Sequence, residues 1–433
     1  MVEVKSFKGI TYNKEKVVNL EDVMSPPYDI ISKEMQDKLY KKHPKNLVRL
    51  ILNKKESDDN KRKNRYTRAK KLFYQWLDDK ILCKSEEDSI YPYKITYNMD
   101  NEQKTINGFF ILLKLDKDYK QVKAHERTLS GPKKDRLNLM RACKANLEPI
   151  QLLYIDEDDI IRKKIDVLID EPIVDVTGYD DFNHKLWKIT DKNTINMICN
   201  KLKDDILFIA DGHHRYQTAI NFSEEMKEET GNSKDDAPFN YRMVILANIF
   251  DKGLSILPTH RLIMMKDFDV NALLKNLEKY FEIKEINCNG SPESISKKIM
   301  NDIKTENEHM FAMYVKNKYY ILNLKDENTM NTYAGDRSET WRTLDVSILH
   351  KIVLEHGMGI TQDNIEDHVR YTRDDAEAIK FVDNNKFDLS FLMNATKIEE
   401  LKAIADAGEH MPQKSTYFLP KMLSGLVMYK MDM

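Results

Sequence analysis

At 433 residues, with 41 % hydrophobic and 32 % charged side chains, the chain is long enough to bury a core and to divide into two or three lobes. Its 69 Lys and Arg nearly balance 71 Asp and Glu, giving a formal net charge of -2. That balance argues against a general nucleic-acid binder, whose affinity rests on a basic excess, though local basic patches stay open. The four cysteines, Cys83, Cys143, Cys199 and Cys288, lie far apart without a CxxC or a His at metal-finger spacing, which suits reduced thiols. The first residues, MVEVKSFKGITYNKEK, lack the apolar core of a signal peptide, and no window approaches the roughly 20 apolar residues of a membrane helix. The expectation is a soluble cytoplasmic protein without nucleic-acid or membrane partners, its oligomeric state undetermined.

Along the chain, residues 62–82 place Tyr66, Ala69, Leu72, Phe73, Trp76 and Leu77 at helical spacing. Tyr91, Tyr93, Ile95 and Tyr97 then alternate, a polar turn follows at Asp100-Asn101, and an apolar run from Ile106 to Leu115 completes a hairpin signature. Apolar residues return at helical spacing from Leu137 to Cys143, and Glu148-Pro149 precedes the strand-like IQLLYI. The run LFIA, a turn, a helix through Ala219, Ile220 and Phe222, and the buried strand RMVILANIF come next.

Residues 224–238, EEMKEETGNSKDDAP, read as a solvated loop. Residues 267–330 suggest a helix around VNALLKNLEKYF and strands around FAMYV and YYILNL; from about 340 the chain reads as mainly helical until the polar segment MPQKSTYFLPK. This alternation predicts an α/β or mixed α+β body. The expected divisions are an N-terminal α/β lobe over 1–115, a catalytic core over 116–260, and a C-terminal lobe over 261–433, first α/β and then helical.

The stretch Ile206 to Ala219, ILFIADGHHRYQTA, carries the densest chemistry. A buried strand that ends in Asp-Gly and passes into a helix presents free backbone N–H groups and the positive end of the helix dipole, and Gly212 allows close approach. Arg215 can add a bidentate phosphate contact. His213 and His214 can donate hydrogen bonds or move protons near neutrality. Asp211 can hold a divalent cation or orient a hydroxyl. Neighbouring histidines diverge, which makes them poor ligands for one zinc. A plain helix cap by Asp211 followed by surface histidines is the competing reading.

Four further segments are candidates. The segment AHERTLSGPKKDR, 124–136, packs His125, Glu126, Thr128, Ser130, Lys133, Lys134, Asp135 and Arg136 into a loop and helix start, suited to hydroxyl activation beside phosphate charge or, equally, to a solvated face. SPPYD is a rigid turn that displays Tyr28 and Asp29. LPTHR carries His260 and Arg261, and MPQKSTYFLPK carries Lys414, Ser415 and Thr416. Each of these is also compatible with ordinary loop chemistry.

Taken together and in this order, SPPYD, HERTLSGPKKDRLNLMRACKANLEPI, FIADGHHRYQTA, LPTHR and MPQKSTYFLPK resemble the family catalogued as domain of unknown function 1015, over nearly the whole chain; 267–340 carries no matching motif. More distantly, Glu126 in AHERTL, an Arg-bearing helix, Pro149-Ile150 leading a strand, and DGHHR before a helix are similar in order to the free-serine kinases of the ParB and sulfiredoxin superfamily, with a longer insertion at 151–205. That resemblance implies a ParB/sulfiredoxin-like catalytic core with N- and C-terminal α/β elaborations. It also implies a kinase that phosphorylates free L-serine to O-phosphoserine, with pyrophosphate, ATP or ADP as donor and Mg²⁺ as cofactor.

In this reading Glu126 takes the serine proton and Asp211 holds metal or orients the acceptor. His213 and His214 join them at the centre, and Tyr28, Asp29, His125 and Thr128 contact substrate. Gly212, Arg215, Lys133 and Arg136 hold phosphate, and His260, Arg261, Lys414, Ser415 and Thr416 close over it. A phosphoester hydrolase built on DGHHR and a nucleotide-binding ParB-like switch are the alternatives. No Walker loop or protein-kinase motif names the donor.

Overall fold

The computed structural model describes residues 1–99, 101–124, 130–266, 268–304, 308–412 and 414–432. Over these the chain divides into two units: one takes Met1–Ala124, the run that ends at Ser255 and the C-terminal return from Pro420; the other takes Ile256–Leu419. No helix among the described residues is long and apolar enough to cross a membrane.

The elements of the first unit that matter for the site are, in order, β1 (Val4–Lys5), α1 (Arg65–Asp78), β2 (Tyr91–Met99), β3 (Glu102–Lys114), β4 (Val122–Lys123), α2 (Ser130–Cys143), β5 (Ile150–Tyr154), β6 (Val174–Thr177), β7 (Asn183–Leu186), α3 (Lys192–Leu202), β8 (Leu207–Asp211), α4 (His213–Thr230) and β9 (Tyr241–Asn248). The strands form one mixed sheet in the order β4-β8-β5-β9-β3-β2-β7-β6, with β1 added against β3. The expected hairpin is β2–β3, with Tyr91 opposite Phe110.

β9 is buried at every residue, because it lies between β5, parallel, and β3, antiparallel, and is covered on both faces. Helices α2, α3 and α4 lay Met140, Ile198 and Phe222 on the face formed by Ile150, Leu152, Ile209, Val244 and Leu246. α1 forms where expected. Asn64 caps it with a capping box, and Ala69, Phe73 and Trp76 at helical spacing are its buried stripe.

The segments expected as separate N-terminal and core lobes share this sheet, since β3 pairs with β9 over seven residues from Lys114↔Tyr241 to Gly108↔Ala247. The C-terminal return joins it too: Tyr429–Lys430 pairs with Ala145–Asn146, and Ser424 bridges Ser25.

Two expectations are corrected. The expected loop 224–238 is helical through Thr230, where Gly231, at φ 63°, ends α4 in the left-handed region. Glu, Met and Lys are strong helix formers, and Met226 is buried against the core, so the polar composition of 224–230 marks a solvated helix face.

The expected helical stretch beyond 340 also contains strands. The second unit is a six-stranded antiparallel sheet built from β10 (His260–Ile263), β11 (Phe281–Asn287), β12 (Met310–Val315), β13 (Lys318–Leu324), β14 (Val369–Thr372) and β15 (Leu389–Met393), in the order β11-β13-β12-β15-β10-β14. β15 is a five-residue run, LSFLM, buried throughout; so short an apolar run has no periodicity to separate strand from helix. Helices Pro292–Asp302 and Asp375–Asp383 pack Ile295, Ile299, Ile379 and Val382 against this sheet.

Candidate functional site

The DGHHR turn is built as its residues dictate. The register between β8 and β5 shifts between Ile209 and Asp211, which leaves Asp211 opposite Gln151 and re-aims its side chain at the strand end. Gly212 has φ 98°, a conformation costly to any residue with a Cβ, and a Cβ there would lie 3.0 to 3.1 Å from the Arg215 guanidinium. As the N-cap of α4, Gly212 offers no capping side chain, so the first turn of an 18-residue helix keeps backbone donors toward the turn.

Around this turn lie four buried cations. Arg215, 5 % exposed, donates to the Asp211 carboxylate and to the Pro149 carbonyl. Lys421, delivered by the C-terminal return, donates to the other Asp211 oxygen. Arg136, 5 % exposed, donates to Glu148 Oε2 at 3.0 Å and to Asp135 at 2.9 Å, and its guanidinium lies 3.8 Å from the Tyr28 ring centroid. Arg242, 3 % exposed, donates to the Glu148 carbonyl at 2.7 Å, while its Nε is buried with no hydrogen-bond partner among the described residues.

Glu148 accepts from the Tyr28 amide at 3.0 Å, so the SPPYD turn and α2 meet at the carboxylate that precedes β5. A cavity of about 20 Å³ is lined by Arg136, Glu148, Arg215 and Arg242 with Leu139, Met140, Ala145 and Leu147.

The charges do not cancel. Arg65, Arg136, Arg215, Arg242 and Lys421 face Asp29, Asp135, Glu148 and Asp211, five cations against four carboxylates, which leaves one positive charge over. Burial, and then the neighbouring Arg215, pull Arg242 down to about 9 against the opposing pull of Glu148. A guanidinium keeps its proton at neutral pH, so this shift registers the cost of burying the charge, to which the neighbouring Arg215 adds. Burial alone would raise the Asp211 carboxyl, but Lys421 and Arg215 outweigh it and hold the group well below the usual carboxylate range.

The structure brings together Tyr28, Arg136, Asp211, Gly212 and Arg215 from the expected set. Asp29, exposed, acts on Arg215 through its charge. His213 is buried and His214 half-buried on the first turn of α4, where the His214 carbonyl accepts from Thr218 at 2.7 Å. Lys133 is half-buried, and its carbonyl accepts from the same hydroxyl at 3.5 Å. His125, Glu126 and Thr128 lie outside the described residues.

His260, Arg261, Lys414, Ser415 and Thr416 belong to the second unit. There His260 Nε2 meets Asp375 at 2.6 Å, Arg261 donates to the Lys414 carbonyl at 3.3 Å and to the Thr259 carbonyl, and the Ser415 hydroxyl donates to the Pro412 carbonyl at 2.5 Å.

Sequence reasoning missed Glu148, Arg242 and Lys421. Arg242 carried a legible signal: a lone cation inside the apolar strand YRMVILAN must be buried, and a buried cation must be paired.

Asp211 was the expected magnesium ligand. Both its oxygens are taken by ion pairs, and a divalent cation there would stand beside two buried cations, so this arrangement does not fit a metal. Among the described residues the acidic group with metal-like spacing is Glu56, Asp58 and Asp59, mostly exposed and remote in sequence from this turn.

Residues 4–347 match the model of a family described as "Protein of unknown function (DUF1015)". Among solved structures, a free serine kinase in complex with AMP is 12 % identical, covering 72 % of this chain and 88 % of that chain at a TM-score of 0.36. A conserved hypothetical protein from Pyrococcus furiosus is 14 % identical, covering 72 % and 90 %, at 0.34. SbnI with a C-terminal truncation, from Staphylococcus aureus, is 11 % identical, covering 73 % and 85 %, at 0.33. No curated protein matches this chain.

Proposed function

We propose that this chain, which belongs to the DUF1015 family of proteins of unknown function, is a small-molecule phosphotransferase that phosphorylates the hydroxyl of free L-serine, with pyrophosphate or a nucleotide as donor. The observation that carries the phosphate half of this reading is the excess of buried positive charge at the DGHHR turn, where the buried Arg242 Nε has no hydrogen-bond partner among the described residues. An anion at a helix N-terminus, in reach of guanidinium groups, is the ligand that such a site stabilises. Serine as acceptor rests on the sequence order of HERTL, the Arg-bearing helix and DGHHR.

In the reaction, Glu126 takes the proton of the serine hydroxyl as its oxygen attacks the terminal phosphorus. The bond from phosphorus to the leaving phosphate oxygen breaks, and the leaving group takes up the proton. Arg215, Lys421 and the backbone donors of α4 offset charge on the transferred group, with Arg136 and Arg242 behind them, and His213 and His214 supply further donors. Asp211, in this reading, positions Arg215 and Lys421.

Phosphorus NMR of the protein with L-serine and, in turn, ATP, ADP and pyrophosphate, with Mg²⁺ present or withheld, tests this. An O-phosphoserine resonance with one donor is the expected result. Orthophosphate released independently of serine would make the protein a hydrolase, and no turnover with any donor would refute the transfer.

A further inference from the structure

Two hydroxyls and one imidazole nitrogen converge on the surface of the second unit. Tyr280 stands between helix Val270–Leu277 and β11, Tyr333 lies on helix Thr329–Ala334, and His356 lies on the segment Leu349–Gly357. The Tyr280 hydroxyl is 2.6 Å from the Tyr333 hydroxyl and 3.0 Å from His356 Nε2, and the Tyr333 hydroxyl is 3.4 Å from the same nitrogen. Both tyrosines are half-buried and the histidine is exposed, so solvent reaches this triangle.

The backbone holds the convergence in place. Leu349–Gly357 winds as a π-helix, a rare conformation found mostly at functional sites, and this winding sets the direction in which His356 leaves the segment. Gly357 lets the segment close on helix Val270–Leu277: a Cβ there would lie 3.2 Å from Leu277 and 3.3 Å from Leu273. The Tyr280 amide donates to the Leu277 carbonyl and its carbonyl accepts from the Lys325 amide, both at 2.9 Å. The rings brace one another: Tyr333 and His356 have centroids 4.8 Å apart, and Tyr280 meets Tyr333 edge-on at 5.8 Å.

Hydrogen bonding is a weak reason for such an arrangement, because a bond made in reach of water gains little over the bonds to water that it replaces. The spacing is also that of a chelate. Metal–ligand bonds of about 2.0–2.1 Å put neighbouring donors about 2.8–3.4 Å apart in octahedral or tetrahedral geometry. The three observed separations, 2.6, 3.0 and 3.4 Å, straddle that span.

The donor set selects the ion. A phenol titrates at about 10, so only a strongly Lewis-acidic ion displaces its proton near neutrality. The Tyr280 hydroxyl raises the Tyr333 phenol above its ordinary value, which sharpens that demand. Zinc takes thiolate, imidazole and carboxylate, and calcium and magnesium take carboxylate, carbonyl and water. From these observations we infer that Tyr280, Tyr333 and His356 form a three-donor face for a trivalent transition-metal ion of the ferric class. Two phenol protons pass to solvent as two Fe–O bonds and one Fe–N bond form, with no change of oxidation state. The inference does not depend on the kinase reading, because it uses other residues and requires no reaction.

The test is a titration of the full chain with ferric nitrilotriacetate, followed by visible absorption and electron paramagnetic resonance. A phenolate-to-iron charge-transfer band that saturates at one iron per chain is the expected result. Tyr280→Phe and Tyr333→Phe should each weaken binding about tenfold or more and diminish the band, and the double variant should abolish it. His356→Gln should weaken binding about tenfold while the band persists. All three positions are half-buried or exposed, and the Phe variants keep the rings that pack. The inference is overturned if no band appears, if the band survives in the double variant, or if iron binds without it, as binding at Glu56, Asp58 and Asp59 would show.

Discussion

Arg215 and Arg261 invite comparison. Both follow a histidine in a short motif at or beside a strand, both are almost wholly buried, and sequence reasoning gave both the task of holding phosphate. Arg215 spends its donors on a carboxylate and a carbonyl beside two further arginines and a lysine, and its surroundings retain positive charge. Arg261 spends its donors on the Thr259 and Lys414 carbonyls and the Met393 sulfur, with its guanidinium 5.7 Å from the Tyr371 ring centroid. The first is a charge within a charge cluster; the second ties Lys414 to its sheet through backbone acceptors. Identical residue types in similar motifs take different work from what surrounds them.

The sharpest way to break this contrast is to remove the carboxylate that the first cluster shares. Glu148→Ala leaves Arg136 with Asp135 alone and removes the carboxylate nearest Arg242, and is expected to cost about 1.5–3 kcal/mol in urea unfolding; a loss below about 0.5 kcal/mol would show that the cluster is not a buried ion-pair network. Arg261→Met should cost about 1.5–3 kcal/mol through its lost hydrogen bonds. Stabilisation of the protein by added pyrophosphate, read as a shift in Tm, should survive that change. Its disappearance would place Arg261 in the phosphate site after all.

Arg215→Ala should do the reverse, weakening pyrophosphate binding by about tenfold to a hundredfold, measured by calorimetry. Gly212→Ala is expected to cost about 1–2 kcal/mol for the left-handed backbone and to push the Arg215 guanidinium aside, so both stability and pyrophosphate affinity fall.

The smallest effect concerns acid. Asp211 has a depressed carboxyl, so its stabilising contribution is complete above the ordinary aspartate value and is lost as pH falls through the folded one. Lys421→Met weakens that depression, and the acid limb of the stability curve should move to higher pH. An unmoved limb would mean that the Lys421–Asp211 pair contributes nothing to the fold.

Much of this was legible in the chain. The 91–114 hairpin, the helix carrying Phe73 and Trp76, and the passage from strand through Gly212 into helix follow from periodicities of 2 and 3.6 and from one backbone position that only glycine occupies cheaply. The polar run 224–230 was misread as loop because composition resembles solvation whether the exposed residues sit on a loop or on a helix face, and only Met226 marked the buried side. LSFLM was too short for its strand period to show.

What the sequence determined by itself is therefore local: which segments wind or extend, where the backbone must turn left-handed, and that acid, imidazole and guanidinium gather at one strand end. Tertiary structure decided the rest. Lys421 lies 210 residues from its partner Asp211, and Arg242 lies 94 residues from the Glu148 carbonyl. Such pairings depend on sheet order and on the path of the C-terminal return, which no local period encodes. Whether a charged side chain binds a ligand, staples a loop or offsets a neighbour is settled by the sum of charges around it after water has been excluded, and that sum exists only in the folded chain.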